Sequence, residues 1–107
     1  MNAKQETLKD QIRQFAAEFL QKESNGQSMI TVTNVKISHD GKTASILITV
    51  MPDDKQKGAL DFARRQLSEL RMFLRDKIRV GRLPFFSIDI DLGEKHRQKI
   101  DELTASN

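Results

Sequence analysis

The sequence predicts an α+β domain of two layers, with two helices covering one face of a three-stranded sheet, in the order helix, strand, strand, helix, strand. Three observations carry that prediction. Apolar residues recur at steps of three and four in two segments, alternate at steps of two in three others, and the 107 residues suffice for one modest core.

The first helical segment runs from Lys4 to Glu23. It places Leu8, Ile12, Phe15, Ala16, Phe19 and Leu20 on one face and Lys9, Asp10, Arg13, Gln14 and Gln21 opposite. Glu23-Ser24-Asn25-Gly26 ends it, because Asn or Gly can adopt the left-handed conformation beyond the last turn. From Met29 to Ser38, Ile30 and Val32 alternate in one phase and Val35 and Ile37 in the other, so a bulge is expected near Thr33-Asn34. Asp40-Gly41 then supplies a hairpin turn, and Ala44, Ile46, Ile48 and Val50 define a second strand.

After Met51-Pro52, Asp53 or Asp54 is positioned to cap a long helix from Lys57 to near Val80-Gly81. Its apolar stripe is Leu60, Ala63, Leu67, Leu70, Leu74 and Ile78. Leu83-Pro84 forces an extended entry into a third strand, where Phe86, Ile88, Ile90 and Leu92 alternate with Phe85, Ser87, Asp89 and Asp91 and Gly93 closes the run. Residues Glu94 to Leu103 form a polar, helix-compatible segment with Ile100 and Leu103 as anchors. The expectation is a single domain over residues 1–103 and a frayed tail over 104–107.

Charge is where function shows. Eighteen Lys and Arg against fifteen Asp and Glu give a mild net +3, yet between Arg64 and Arg82 seven cations face only Glu69 and Asp76. Repeated cationic donors along one surface suit a polyanion, because phosphate contacts need many charges rather than one arranged site. Arg64, Arg71, Arg75, Lys77, Arg79 and Arg82 are therefore the candidate contacts to a polyanion or an anionic membrane surface, and the RNA-binding candidates if that polyanion is RNA, with Lys95 and Arg97 as outer contacts.

Other chemistry finds little support. The absence of cysteine removes disulfides and thiolate metal sites. His39, His96, Asp89 and Asp91 make a poor convergent set, and no catalytic residue, metal site or cofactor is expected. Gly41-Lys42-Thr43 resembles the end of a phosphate-binding loop, but Lys36 stands where the earlier glycine belongs. The charged N-terminal segment argues against a secretory signal, and no run approaches the roughly twenty apolar residues of a membrane span. A cytoplasmic monomer with no membrane partner is expected. Phe15, Phe19 and Phe86 fall on core faces, whereas Phe85 falls on the opposite side from Phe86.

Several stretches together resemble the ribosome-binding factor A family. Met29 to Ser38 resembles its first strand and Thr43 to Val50 its second. Phe73-Leu74-Arg75, the basic run ending Arg82-Leu83-Pro84, the strand Phe86 to Asp91 and Ile100-Asp101-Glu102-Leu103 follow in the same order. The resemblance implies a KH-like (type II) domain that binds the small (30S) ribosomal subunit and its 16S rRNA late in assembly. It further implies assistance with maturation of the rRNA 5′ end, a link to growth in the cold, no catalysis, and an assembly GTPase as a candidate partner. The family carries an Ala-x-Gly kink, which alignment on Phe73-Leu74-Arg75 places at Leu70-Arg71-Met72; with Leu70 and Met72 replacing small residues, a straighter helix is expected. Ser24 to Ser28 replaces the family's Asp-Pro-Arg-like turn. The reading from a different class is a protein-protein adaptor that docks the basic helix on an acidic partner.

Overall fold

The computed structural model describes residues 3–23, 26–79 and 81–105. Helix α1 spans Ala3–Glu23, strands β1 and β2 span Met29–Ile37 and Thr43–Met51, and a 3-10 turn covers Asp53–Lys55. Helices α2 (Gln56–Arg65) and α3 (Leu67–Lys77), strand β3 (Phe85–Ile90) and helix α4 (Leu92–Ala105) complete the chain.

The sheet has the order β1-β2-β3, with β1 antiparallel and β3 parallel to β2. The register of β1 against β2 shifts between Val32 and Asn34, where the apolar phase slips. That slip keeps Val32 and Val35 both buried, although they are an odd number of residues apart. Gly41 takes φ 74° in the hairpin, a left-handed value that a side chain would strain, and Gly26 takes φ 80° after α1.

One face of the sheet is the core. Val32 and Val35 of β1, Ala44, Ile46, Ile48 and Val50 of β2, and Ile88 of β3 are buried against Ile12, Ala16, Phe19 and Leu20 of α1. Ala59 and Ala63 from α2 and Leu70 and Leu74 from α3 complete the layer. Phe73 joins the helices, lying 5.5 Å from Phe19 and 6.5 Å from Phe15 between ring centroids. The opposite sheet face carries polar residues, with Thr43 and Ser87 exposed and Ser45 half-buried.

Several sequence expectations require correction. The long basic helix is two helices, broken at Gln66, whose φ −91° and ψ 5° leave the helical region. The Gln66 amide is shared between the carbonyls of Phe62 and Ala63, while its own carbonyl accepts from Leu70 at 2.8 Å. The break lets α2 lie on β2 and β3 while α3 turns toward α1. It falls four residues before the expected kink position, and the helix is not straighter.

Asp53 and Asp54 make no capping bond to α2; they lie in the 3-10 turn that precedes it. The third strand ends at Ile90, and Leu92 and Gly93 belong to the first turn of α4. Ile100 is 62% exposed and anchors nothing. Helix α4 runs to Ala105 through part of the segment expected to fray. Ser24, Asn25, Val80 and the Leu103 side chain lie outside the described residues.

Candidate nucleic-acid interface

The cations singled out by the sequence divide into two groups. In the first, the protein itself uses the charge. Arg64, on α2, donates from Nε to the Ile88 carbonyl at 3.0 Å and from Nη2 to Asp89 at 2.9 Å. Arg71, on α3, donates to the carbonyls of Pro84 and Leu83, the latter at 3.3 Å. Its guanidinium carbon lies 5.2 Å from the Phe85 ring centroid and 5.9 Å from that of Phe86. Lys95 donates to Gln56 at 2.8 Å, fastening α4 to the start of α2, and Arg97 pairs with Glu94 one turn away.

The second group makes no hydrogen bond or ion pair among the described residues. Arg75 lies on the exposed side of α3, Lys77 at its end, and Arg79 and Arg82 in the connector to β3. Lys77 retains a weak tie, its Nζ 5.6 Å from the Phe73 centroid. Ile78 is extended and buried, and Leu83 and Pro84 are buried too, so both ends of the connector are pinned to the core. Buried ends and exposed cations between them make a positively charged ledge.

Arg71 sets the exit of that ledge. Its planar guanidinium holds two consecutive carbonyls at Leu83 and Pro84 and stacks on the next two residues, a geometry that lysine cannot reproduce. Helical spacing put Arg71 on the cationic shoulder, but nothing in that spacing indicated that it grips β3.

The acidic candidates have local roles. Asp89 is the ion-pair partner of Arg64. Asp91 precedes α4 and accepts from the Glu94 amide at 3.0 Å through one oxygen and from the Thr33 hydroxyl at 2.5 Å through the other. The Thr33 hydroxyl, aided by the Glu94 amide, holds the Asp91 carboxyl below the usual aspartate range. Asp91-Leu92-Gly93-Glu94 is an N-cap pattern that the sequence displayed and strand periodicity obscured. Asp40 is lowered likewise, by the Ser38 hydroxyl first and then the Lys42 amide, inside the hairpin turn.

Among the described residues no group of three or more His, Cys, Asp or Glu side chains is placed to hold a metal ion, and no helix is long and apolar enough to cross a membrane. A cleft of 620 Å³ between the end of α1 and β1 is lined by Ala17, Gln21, Met29, Ile30, Thr31 and Met51 among others, with nothing ionisable among the described residues. The cationic ledge lies elsewhere, as a surface rather than a pocket.

Comparison with known proteins gives this arrangement a family. No match was found among curated proteins. Among solved structures, the crystal structure of ribosome-binding factor A from Thermus thermophilus is similar, with a TM-score of 0.69 and 26% identity over 78% of this chain and 91% of that one. A homology model of the T. thermophilus protein, fitted into a cryo-EM map of a 30S complex, gives a TM-score of 0.67 and 26% identity, covering 76% and 88%. A Thermotoga maritima protein solved by NMR gives a TM-score of 0.63 at 19% identity over 78% and 82%, a likeness of fold alone. The family model for ribosome-binding factor A matches residues 4–104, and the chain belongs to that family.

Proposed function

We propose that this chain is a ribosome-binding factor that docks on the small ribosomal subunit through its rRNA, late in assembly and without catalysis. The observation that carries the reading is the ledge of exposed cations, Arg75, Lys77, Arg79 and Arg82, between two buried ends. Family membership and the related T. thermophilus protein fitted into a 30S complex support the choice of partner. Phosphates neutralised on this ledge release counterions, so association weakens steeply as salt rises.

The action is positional. The domain, read as KH-like, occupies a site on immature RNA, holds local helices in one arrangement and departs when the site matures, with 5′-end processing of the rRNA favoured meanwhile. It works in the cytoplasm as a monomer, contributes to growth in the cold, and an assembly GTPase is the class of partner suited to releasing it. Arg64, Arg71, Lys95 and Arg97 serve this role mainly by shaping the surface, although Arg71 and Arg97 keep donors for an adjacent phosphate.

Sedimentation of a cell extract through a sucrose gradient at moderate salt tests the reading. The chain is expected with free small subunits, enriched in those holding unprocessed rRNA, and nuclease treatment releases it. Retention at the top of the gradient at low salt overturns the ribosomal reading. Association that survives nuclease instead supports an adaptor for an acidic protein.

A further inference from the structure

Phe85 is 72% exposed at the first position of β3, although Phe86 beside it packs toward the core. Exposure alone says little, since single surface hydrophobics are ordinary. What distinguishes Phe85 is its support and its surroundings. The Arg71 guanidinium lies 5.2 Å from the ring centroid and is itself held by the carbonyls of Leu83 and Pro84, so the ring stands on a fixed charged plate. The Phe85 amide donates to the Lys42 carbonyl at 2.9 Å, which brings the hairpin turn alongside, and the exposed cation Arg82 lies three residues earlier.

The neighbours of Phe85 across the open sheet face are hydroxyl residues rather than apolar ones. Thr43 is its register partner, and Ser45 and Ser87 are the next pair, with their hydroxyls 3.3 Å apart. A protein hot spot would surround an exposed ring with apolar contact area. A rim of hydroxyls, with Lys42, Arg82 and Arg71 near the ring, matches a nucleotide: a flat base for the aromatic face, a phosphate for the cations and a ribose for the hydroxyls.

Resting on the RNA-binding reading above, we infer that Phe85 is a stacking platform for one unpaired nucleobase, with Arg82 and Lys42 holding the phosphates on either side. The interface therefore takes a single-stranded or bulged nucleotide in addition to the phosphate contacts of the ledge. Arg71 acts as a positioning residue that holds the ring in place.

The test measures binding of the full chain to purified small subunits, to an unstructured twelve-nucleotide RNA and to the same RNA annealed as a duplex. Phe85→Leu keeps apolar bulk but loses the π face, whereas Phe85→Tyr keeps it. Leucine is expected to weaken binding to the unstructured RNA by about tenfold, to leave the duplex unchanged, and to be rescued by tyrosine. Because Phe85 is exposed, all variants are expected to keep the wild-type melting transition. Leucine binding unstructured RNA as tightly as wild type, or losing equal affinity for the duplex, overturns the inference while normal wild-type binding to subunits leaves the ribosomal reading standing. Failure of the wild type to bind any of the three RNAs overturns both.

Discussion

Arg64 and Ile88 are joined across two elements: the guanidinium Nε on α2 donates to the Ile88 carbonyl on β3 at 3.0 Å. The amides of Phe85 and Asp91 donate to Lys42 and Ile48, so the odd-numbered residues of β3 turn their backbone toward β2 and the even-numbered ones turn outward. Ile88 and Pro84 thus present carbonyls along the open edge, and Arg64 and Arg71 supply donors to those two carbonyls. Sheet edges with unmet backbone groups invite association with other strands, and a guanidinium placed there blunts the edge. Part of the positive charge that looks available for RNA is occupied in this way.

Arg64→Ala should therefore destabilise the fold by about 1–2 kcal/mol, the scale of a partly buried hydrogen bond from a charged donor. Asp89→Ala should cost less than about 1 kcal/mol, since it removes only the solvent-exposed ion pair and leaves the bond to Ile88. Urea unfolding of both variants checks the order. Equal losses would mean that the carboxylate, not the carbonyl, is what Arg64 serves.

The division of the cations makes a second prediction. Alanine at Arg75, Arg79 or Arg82 should leave the unfolding midpoint unchanged and lower the slope of log affinity against log salt by about 0.7–0.9 for each phosphate no longer neutralised. Arg71→Ala should lower stability as well as affinity, because the connector loses its hold at Leu83 and Pro84. Arg71→Lys should not restore it, as an ammonium cannot span two carbonyls and stack on a ring together. Parallel melting and salt-titration measurements separate the groups.

Asp91 carries a pH dependence of definite sign. Its carboxyl titrates in the folded protein below the ordinary value of 3.8, so its charged form adds stability that is present above 3.8 and lost as pH falls through the lowered value. Asp91→Asn keeps a capping oxygen but removes the titration. The wild type should exceed that variant by about 0.3–1 kcal/mol near neutral pH, the scale of a carboxylate at a helix N-terminus. The gap should close below pH 3.8. Asp40 titrates in the same direction, so the comparison must be made variant against wild type. Asp91→Ala should cost about 1 kcal/mol at neutral pH through loss of the cap.

The layers, the three strands and the bulge near Thr33-Asn34 were legible because alternation and helical spacing act over many residues and report burial directly. The break at Gln66 was not, since the apolar stripe continues past it: Leu60 and Ala63 before, Leu67 and Leu70 after, still fit one helix. What divides them is tertiary, the separate packing of α2 on the sheet and α3 on α1. The cationic stretch was legible as a charge excess, but which arginines turn back on β3 depends on where its edge carbonyls lie. Asp91 was misjudged for a third reason, as a side chain at the end of a strand that also opens a helix fits the periodicity of both.

Leu70 and Met72 give the last prediction. The resemblance implied small residues here and a kink, yet Leu70 is fully buried in the core while Met72 is 64% exposed. Restoring a small residue should therefore have opposite consequences two positions apart. Leu70→Ala should cost about 3–5 kcal/mol, because it empties a site closed on all sides. Met72→Ala should be neutral or slightly stabilising, since alanine is the better helix former and little packing is removed. The break at Gln66 already provides the change of direction, so neither substitution should add a second one. Urea unfolding gives both costs, and a large loss at Met72 or a small one at Leu70 would show that α3 is rotated from the position described.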